Sequence, residues 1–120
     1  MELRELNRLV TLAIWRAEQK PAGSIDLLVA YREVSELEEQ IAQQTPNTTP
    51  EGAFARDGAV RAALRSEEAL RAESLAVRYL EEPGVTERLR AALGALLTEA
   101  RAALPSGDAD VRAVAFHLAA

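Results

Sequence analysis

Apolar residues recur along the chain at helical spacing, in stripes separated by short polar breaks. Leu3, Leu6, Val10, Ala13 and Ala17 fall at the a and d positions of a helical seam and predict a first helix over residues 2–19. Pro21-Ala22-Gly23 stops it. Ser24 is a good N-cap for a second helix, and Asp26 suits the positive end of that helix's dipole. Leu27, Ala30, Val34, Leu37 and Ile41 repeat the stripe. Two such helices joined by a short turn form an antiparallel hairpin over residues 1–44.

Residues 45–50, Thr-Pro-Asn-Thr-Thr-Pro, contain turn formers and no apolar side chain, and predict the main irregular segment. Thr49 as N-cap with Pro50 at the first helical position starts a third helix, which runs to about Arg65. Ser66 is expected to cap a fourth helix, with Glu67 and Glu68 at its positive end and Glu67 paired to Arg71 one turn on. Pro83-Gly84 ends that helix. Thr86 caps a fifth, with a stripe of Leu89, Leu93, Leu96, Leu97, Ala100 and Leu104. Beyond Pro105-Ser106-Gly107, the residues Val111, Val114, Ala115 and Leu118 suggest a short sixth. No alternating β-branched run reads as a strand. The fold class expected is all-α: a single domain, 1–120, of about six antiparallel helices in consecutive hairpins. They form a compact bundle or short stack, with the C-terminal helices in residues 51–120.

Composition agrees with close-packed helices. Alanine makes up about a fifth of the chain and aromatics 4%. The net charge is −5. Residues 1–45 carry five basic and eight acidic groups, and residues 51–120 nine and eleven. Neither part has the basic block that displaces counterions from phosphates, so no nucleic-acid partner is expected. Apolar runs are far shorter than the roughly 20 residues of a membrane span, and the start lacks a secretory pattern, so no membrane association and a cytoplasmic location are expected. Arginine and alanine in place of lysine suggest a bacterial, GC-rich source.

Residues 64–84, with Ala72, Ala76, Tyr79 and Pro83, resemble the second half of a tetratricopeptide repeat. The resemblance covers about a sixth of the chain and implies a helical hairpin of the kind that stacks. The family's first-helix pattern of tryptophan, leucine-glycine and tyrosine is missing, and no 34-residue period runs through the chain. Gly58 and Gly94 fall inside helices, where glycine costs about 1 kcal/mol relative to alanine. Both therefore predict close approach of another backbone. Gly94, with the small-residue line Ala91, Ala95, Thr98 and Ala102, suggests that the fifth helix is central.

Few residues suggest chemistry. There is no cysteine, hence no disulfide and no thiolate metal site. Glu33, Glu36, Glu38 and Glu39 cluster on the second helix and read as a solvated acidic face. A di-iron bundle needs Glu-x-x-His pairs, and three residues before the one histidine, His117, stands Val114. His117 has no nucleophile or second ligand near it in sequence, although a ligand-binding or enzymatic bundle using it is one reading. The final Leu118-Ala119-Ala120 resembles the end of the bacterial tag that marks stalled proteins for proteolysis. No catalytic, metal or cofactor set is expected.

The most informative feature is surplus apolar surface on the first hairpin. Leu12 and Trp15 fall off the first stripe, on the side of Arg4 and Arg8, and Ile25, Leu28 and Val29 fall off the second. Later helices can cover such a face, or a partner can. Tryptophan flanked by arginine suits an interface anchor. The function expected is an interaction module, such as an adaptor, regulatory partner or small inhibitor, whose partner-binding residues are Arg8, Leu12, Trp15, Leu28 and Val29. The alternative is a structural homo-oligomer.

Overall fold

The computed structural model describes residues 1–105. Five helices follow one another: α1 (Leu3–Glu18), α2 (Ile25–Gln44), α3 (Pro50–Arg65), α4 (Ala69–Glu81) and α5 (Glu87–Ala103). No strand occurs among the described residues. The expected sixth helix, His117 and the final Leu-Ala-Ala lie outside them.

Three caps form as the sequence indicates. The Ser24, Thr49 and Thr86 hydroxyls accept from the N–H groups of Leu27, Gly52 and Leu89 at 3.1, 3.0 and 3.2 Å. Ser66 behaves differently. Its hydroxyl donates backward to the Ala63 carbonyl at 2.8 Å, so it closes α3 and does not open α4. Glu67 then turns left-handed at φ 60°. The N–H groups of Glu67 and Glu68 bond the Leu64 and Ala63 carbonyls, each at 3.0 Å. This is the paired bonding of a Schellman closure, with glutamate where glycine is usual. Arg71 does not turn to Glu67. It reaches across to α2, donating to Ser35 Oγ at 3.2 Å and Glu39 Oε1 at 2.9 Å.

The helices stack in two layers. α1 packs on α2, α2 on α3, α3 on α4, and α5 on both α4 and α3. Cross-contacts give the directions. Ser35, Gly58 with Glu38, and Arg56 with Ala42 and Thr45 run antiparallel between α2 and α3. Arg32–Glu68 and Glu39–Arg78 run parallel between α2 and α4. Helices α1, α3 and α5 thus form one layer, and α2 and α4 the other. The starts of α1, α3 and α5 are unevenly spaced in sequence, so this is a stack of hairpins without a constant repeat.

The core follows the stripes. Leu6, Val10 and Ala13 of α1 join Val34, Leu37 and Ile41 of α2 in one cluster, and Leu89, Leu93, Leu96 and Ala100 of α5 close the other end. The central helix is α3, not α5. It buries Gly52, Ala55, Arg56, Ala59, Val60, Ala62 and Ala63 along one broad face and packs on α2, α4 and α5. Its small side chains let α2, α4 and α5 approach together. Gly94 has nothing within 4 Å of where a Cβ would stand, and Ala91, Ala95, Thr98 and Ala102 are exposed among the described residues. The close approach expected at Gly94 is therefore not made. At Gly58 the neighbour is the Glu38 carboxyl, not backbone.

The irregular segment 45–50 is docked against the rest. Thr45 and Asn47 are buried, and Asn47 Nδ2 donates to the Pro83 carbonyl at 3.1 Å. A Cβ at Gly52 would stand 1.9 Å from the Pro46 carbonyl oxygen. Of the helical glycines, Gly94 and Gly52 therefore predict opposite outcomes in urea or thermal unfolding. Gly94→Ala gains about 1 kcal/mol of stability from helix propensity. Gly52→Ala loses about 1–3 kcal/mol by overpacking, because the loop must move. Equal effects at the two sites contradict this packing.

Candidate functional site

Two features of the described surface stand apart from ordinary helix packing. The first is a groove of about 440 Å³ between α1 and α3, where those helices make no direct backbone approach. Val10 and Ile14 line one wall, Phe54 and Ala55 the other, and Ile41 and Glu38 of α2 the floor. Asn7 Nδ2 donates to Glu51 Oε1 at 3.0 Å and ties the two walls together. On the far side of Phe54 a second groove of about 550 Å³ runs between α3 and α5. Phe54 forms the ridge between them and is 73% exposed.

Glu38 is the unexpected group. The sequence places it in a solvated acidic cluster, but the structure divides that cluster by helix face. Glu33 and Glu36 are exposed. Glu39 is half-buried and held by Arg71 at 2.9 Å and Arg78 at 2.6 Å. Glu38 is only 5% exposed, on the face that meets α3. Its carboxyl lies over the backbone at Gly58, where a Cβ would stand 3.0 Å from Cδ and 3.1 Å from Oε1. Any side chain at residue 58 would crowd it, so the glycine makes room for the acid. No hydrogen-bond or ion-pair partner meets the Glu38 carboxyl among the described residues. Burial, and then the Asp57 charge, push it up to about 7. At 100° per residue Glu33 and Glu38 flank the Val34–Leu37–Ile41 stripe equally closely on its two sides, so the spacing does not single out Glu38.

The second feature is the outer surface of the first hairpin. Trp15 is 60% exposed, and Leu12, Ile25 and Val29 are also exposed. Leu28 is half-buried. Arg8 is exposed and donates to Glu5 one turn before it. Leu12 and Trp15 lie opposite the buried Leu6–Ala13–Ala17 stripe, and Ile25 and Val29 opposite Val34 and Ile41. Both sets face away from the seam between α1 and α2. No described helix covers them.

Among the described residues no group of three His, Asp or Glu side chains is placed to hold a metal ion, and no helix is long and apolar enough to cross a membrane. No family model, curated protein or solved structure matches the chain.

Glu38 predicts a slope of stability with pH. Its folded-state value lies above the ordinary carboxylate value of 4.5, so the folded protein holds more protons than the unfolded chain between pH 4.5 and about 7. Stability from this group is present at low pH and is lost as pH rises through that window. The full effect is on the order of 3 kcal/mol. Urea unfolding of the wild type and Glu38→Gln at pH 5 and pH 8 checks it. The variant is expected to be the more stable at pH 8 and to lack this component of the slope. Parallel pH profiles for the two proteins contradict it.

Proposed function

We propose that the protein is an interaction module, an adaptor, regulatory partner or small inhibitor, that docks on another protein through the apolar outer surface of its first hairpin. Arg8, Leu12, Trp15, Leu28 and Val29 are the contact residues. The observation that carries the reading is the exposure of Trp15 beside Leu12. A tryptophan contributes little to the stability of a monomer when it points into water, but contributes strongly to association when a partner encloses it. Val29 is 63% exposed and Ile25 also faces solvent on the second helix of the same hairpin, on a face separate from that of Leu12 and Trp15. Single apolar residues are normal on surfaces, so the weight of the reading rests on Trp15 with Leu12 one turn before it. Nucleic acid is not the proposed partner, because acidic groups outnumber basic ones in both parts of the chain.

The second reading is self-association through the same residues, favoured by the same exposure. Trp15 is the sole tryptophan, so its fluorescence reports this surface alone. In sedimentation and fluorescence across protein concentration, a homo-oligomer shows concentration-dependent shielding of Trp15 from iodide. A module for a different partner stays monomeric, with Trp15 open to the quencher.

Trp15→Ala is expected to change unfolding stability by less than about 0.5 kcal/mol, as surface substitutions do. It is also expected to weaken association with the partner, or with itself, at least tenfold. A stability loss of about 3–5 kcal/mol marks Trp15 as a core residue and rejects the docking surface.

A further inference from the structure

We propose that the groove between α1 and α3 is a binding site for the basic side chain of a partner protein, an arginine above all, with the Glu38 carboxylate as its counter-ion. This site is distinct from the outer surface that carries Trp15. Glu38 is nine-tenths buried, has no partner among the described residues and lines the groove floor. A buried carboxylate without a partner is costly, and an incoming cation removes that cost by supplying charge and hydrogen bonds together. The surroundings select for a cation. On α3, Glu51 lines the groove and Asp57 acts on Glu38, and both are acidic. On α1 the polar lining groups are Asn7 and Thr11, both uncharged. On α2 the neighbouring Glu39 is already engaged by Arg71 and Arg78. Asp57 is partly engaged, by Arg61 at 3.3 Å.

The walls suit an aliphatic stem that ends in a planar cation. Val10 and Ile14 offer apolar surface to methylene groups, and the exposed Phe54 ring offers a face to a guanidinium. Guanidinium is less strongly hydrated than ammonium, so it gives up water at a buried acid more readily. The groove is an open trough and not an enclosed cavity. Enclosure of most of the ligand is the rule for free small molecules, so the open shape favours a side chain delivered by a larger body.

The test is a titration of the full chain, followed by NMR of the Glu38 carboxyl and the Ile14 and Phe54 side chains. The probes are n-butylguanidinium, its neutral analogue n-butylurea, and an acetylated alanine–leucine peptide with one central arginine. Saturable shifts are expected with butylguanidinium and not with butylurea, and the peptide is expected to bind at least tenfold more tightly than butylguanidinium. Affinity is expected to fall at least tenfold between pH 8 and pH 5.5 as Glu38 takes up its proton. Glu38→Gln is expected to abolish the shifts at pH 8, whereas Trp15→Ala leaves them unchanged. Equal binding of butylurea, pH-independent affinity, or retention in Glu38→Gln overturns the site. The pH arm needs no variant, so it decides even if Glu38→Gln fails to fold. Loss on Trp15→Ala places the cation on the outer surface and also overturns it. A peptide no tighter than butylguanidinium overturns the assignment to a partner's side chain and leaves a small organic cation as the ligand.

Discussion

The guanidinium of Arg56 holds the two hairpins in register. It is 5% exposed on the central helix, yet every direction it can donate is used. One nitrogen bonds the carbonyls of Thr45 and Gly52 at 3.0 and 2.9 Å, and another bonds the Ala42 carbonyl at 3.1 Å. Nε and Nη2 together grip the Glu82 carboxylate at 2.8 and 3.1 Å. The Tyr79 ring lies beneath, with its centroid 5.6 Å away. One side chain thus closes the C-terminal end of α2, anchors the segment 45–50 and fastens the end of α4. Lysine cannot replace this geometry, because the planar fork serves several acceptors at once. Replacing a buried pair of this kind as a whole by well-packed apolar residues costs little net stability, but removing the arginine alone strands its carbonyl acceptors and the Glu82 carboxylate.

That anchorage sets what the surface can do. Because segment 45–50 is short and pinned, α3 leaves α2 in a fixed direction and lies between α2, α4 and α5. Helix α1 packs its backbone closely on α2 alone, and the Asn7–Glu51 hydrogen bond ties it to α3. The trough between α1 and α3 follows from this layering, and so does the exposure of Phe54 on its rim. Glu38 reaches the floor of the trough because Gly58 presents no side chain beneath it. The charged ties between α2 and α4 act on the opposite side. Arg32 of α2 bonds Glu68, and Arg71 and Arg78 of α4 bond the half-buried Glu39, so charged pairs tie the two helices.

Much of the fold is legible in the sequence because leucine and valine stripes mark a single buried face. The stripes of α1, α2 and α5 lie where the spacing puts them, and the hydroxyl caps Ser24, Thr49 and Thr86 start their helices. The central helix was hidden by its own chemistry. Alanine has little transfer energy and suits either face, so Ala55, Ala59, Ala62 and Ala63 gave no stripe to read. Ser66 misled because a serine hydroxyl serves equally as a donor at a helix end and an acceptor at a helix start. Trp15 was legible as a residue without a place in the stripe, and it is exposed. Glu38 was not, since a carboxylate beside an apolar stripe is ordinarily solvated and only the three-dimensional closeness of Gly58 reveals otherwise. Arg56 gave no signal, because its partners are mainly backbone carbonyls brought together by the fold.

Equilibrium urea unfolding of Arg56→Met is the direct measure of whether Arg56 fastens the hairpins. Methionine keeps the volume and removes the donors. The expected result is a loss of about 3 kcal/mol or more, from stranded carbonyls and the unpaired Glu82. A loss below about 1 kcal/mol would contradict it, showing that apolar packing alone sets the register of the stack.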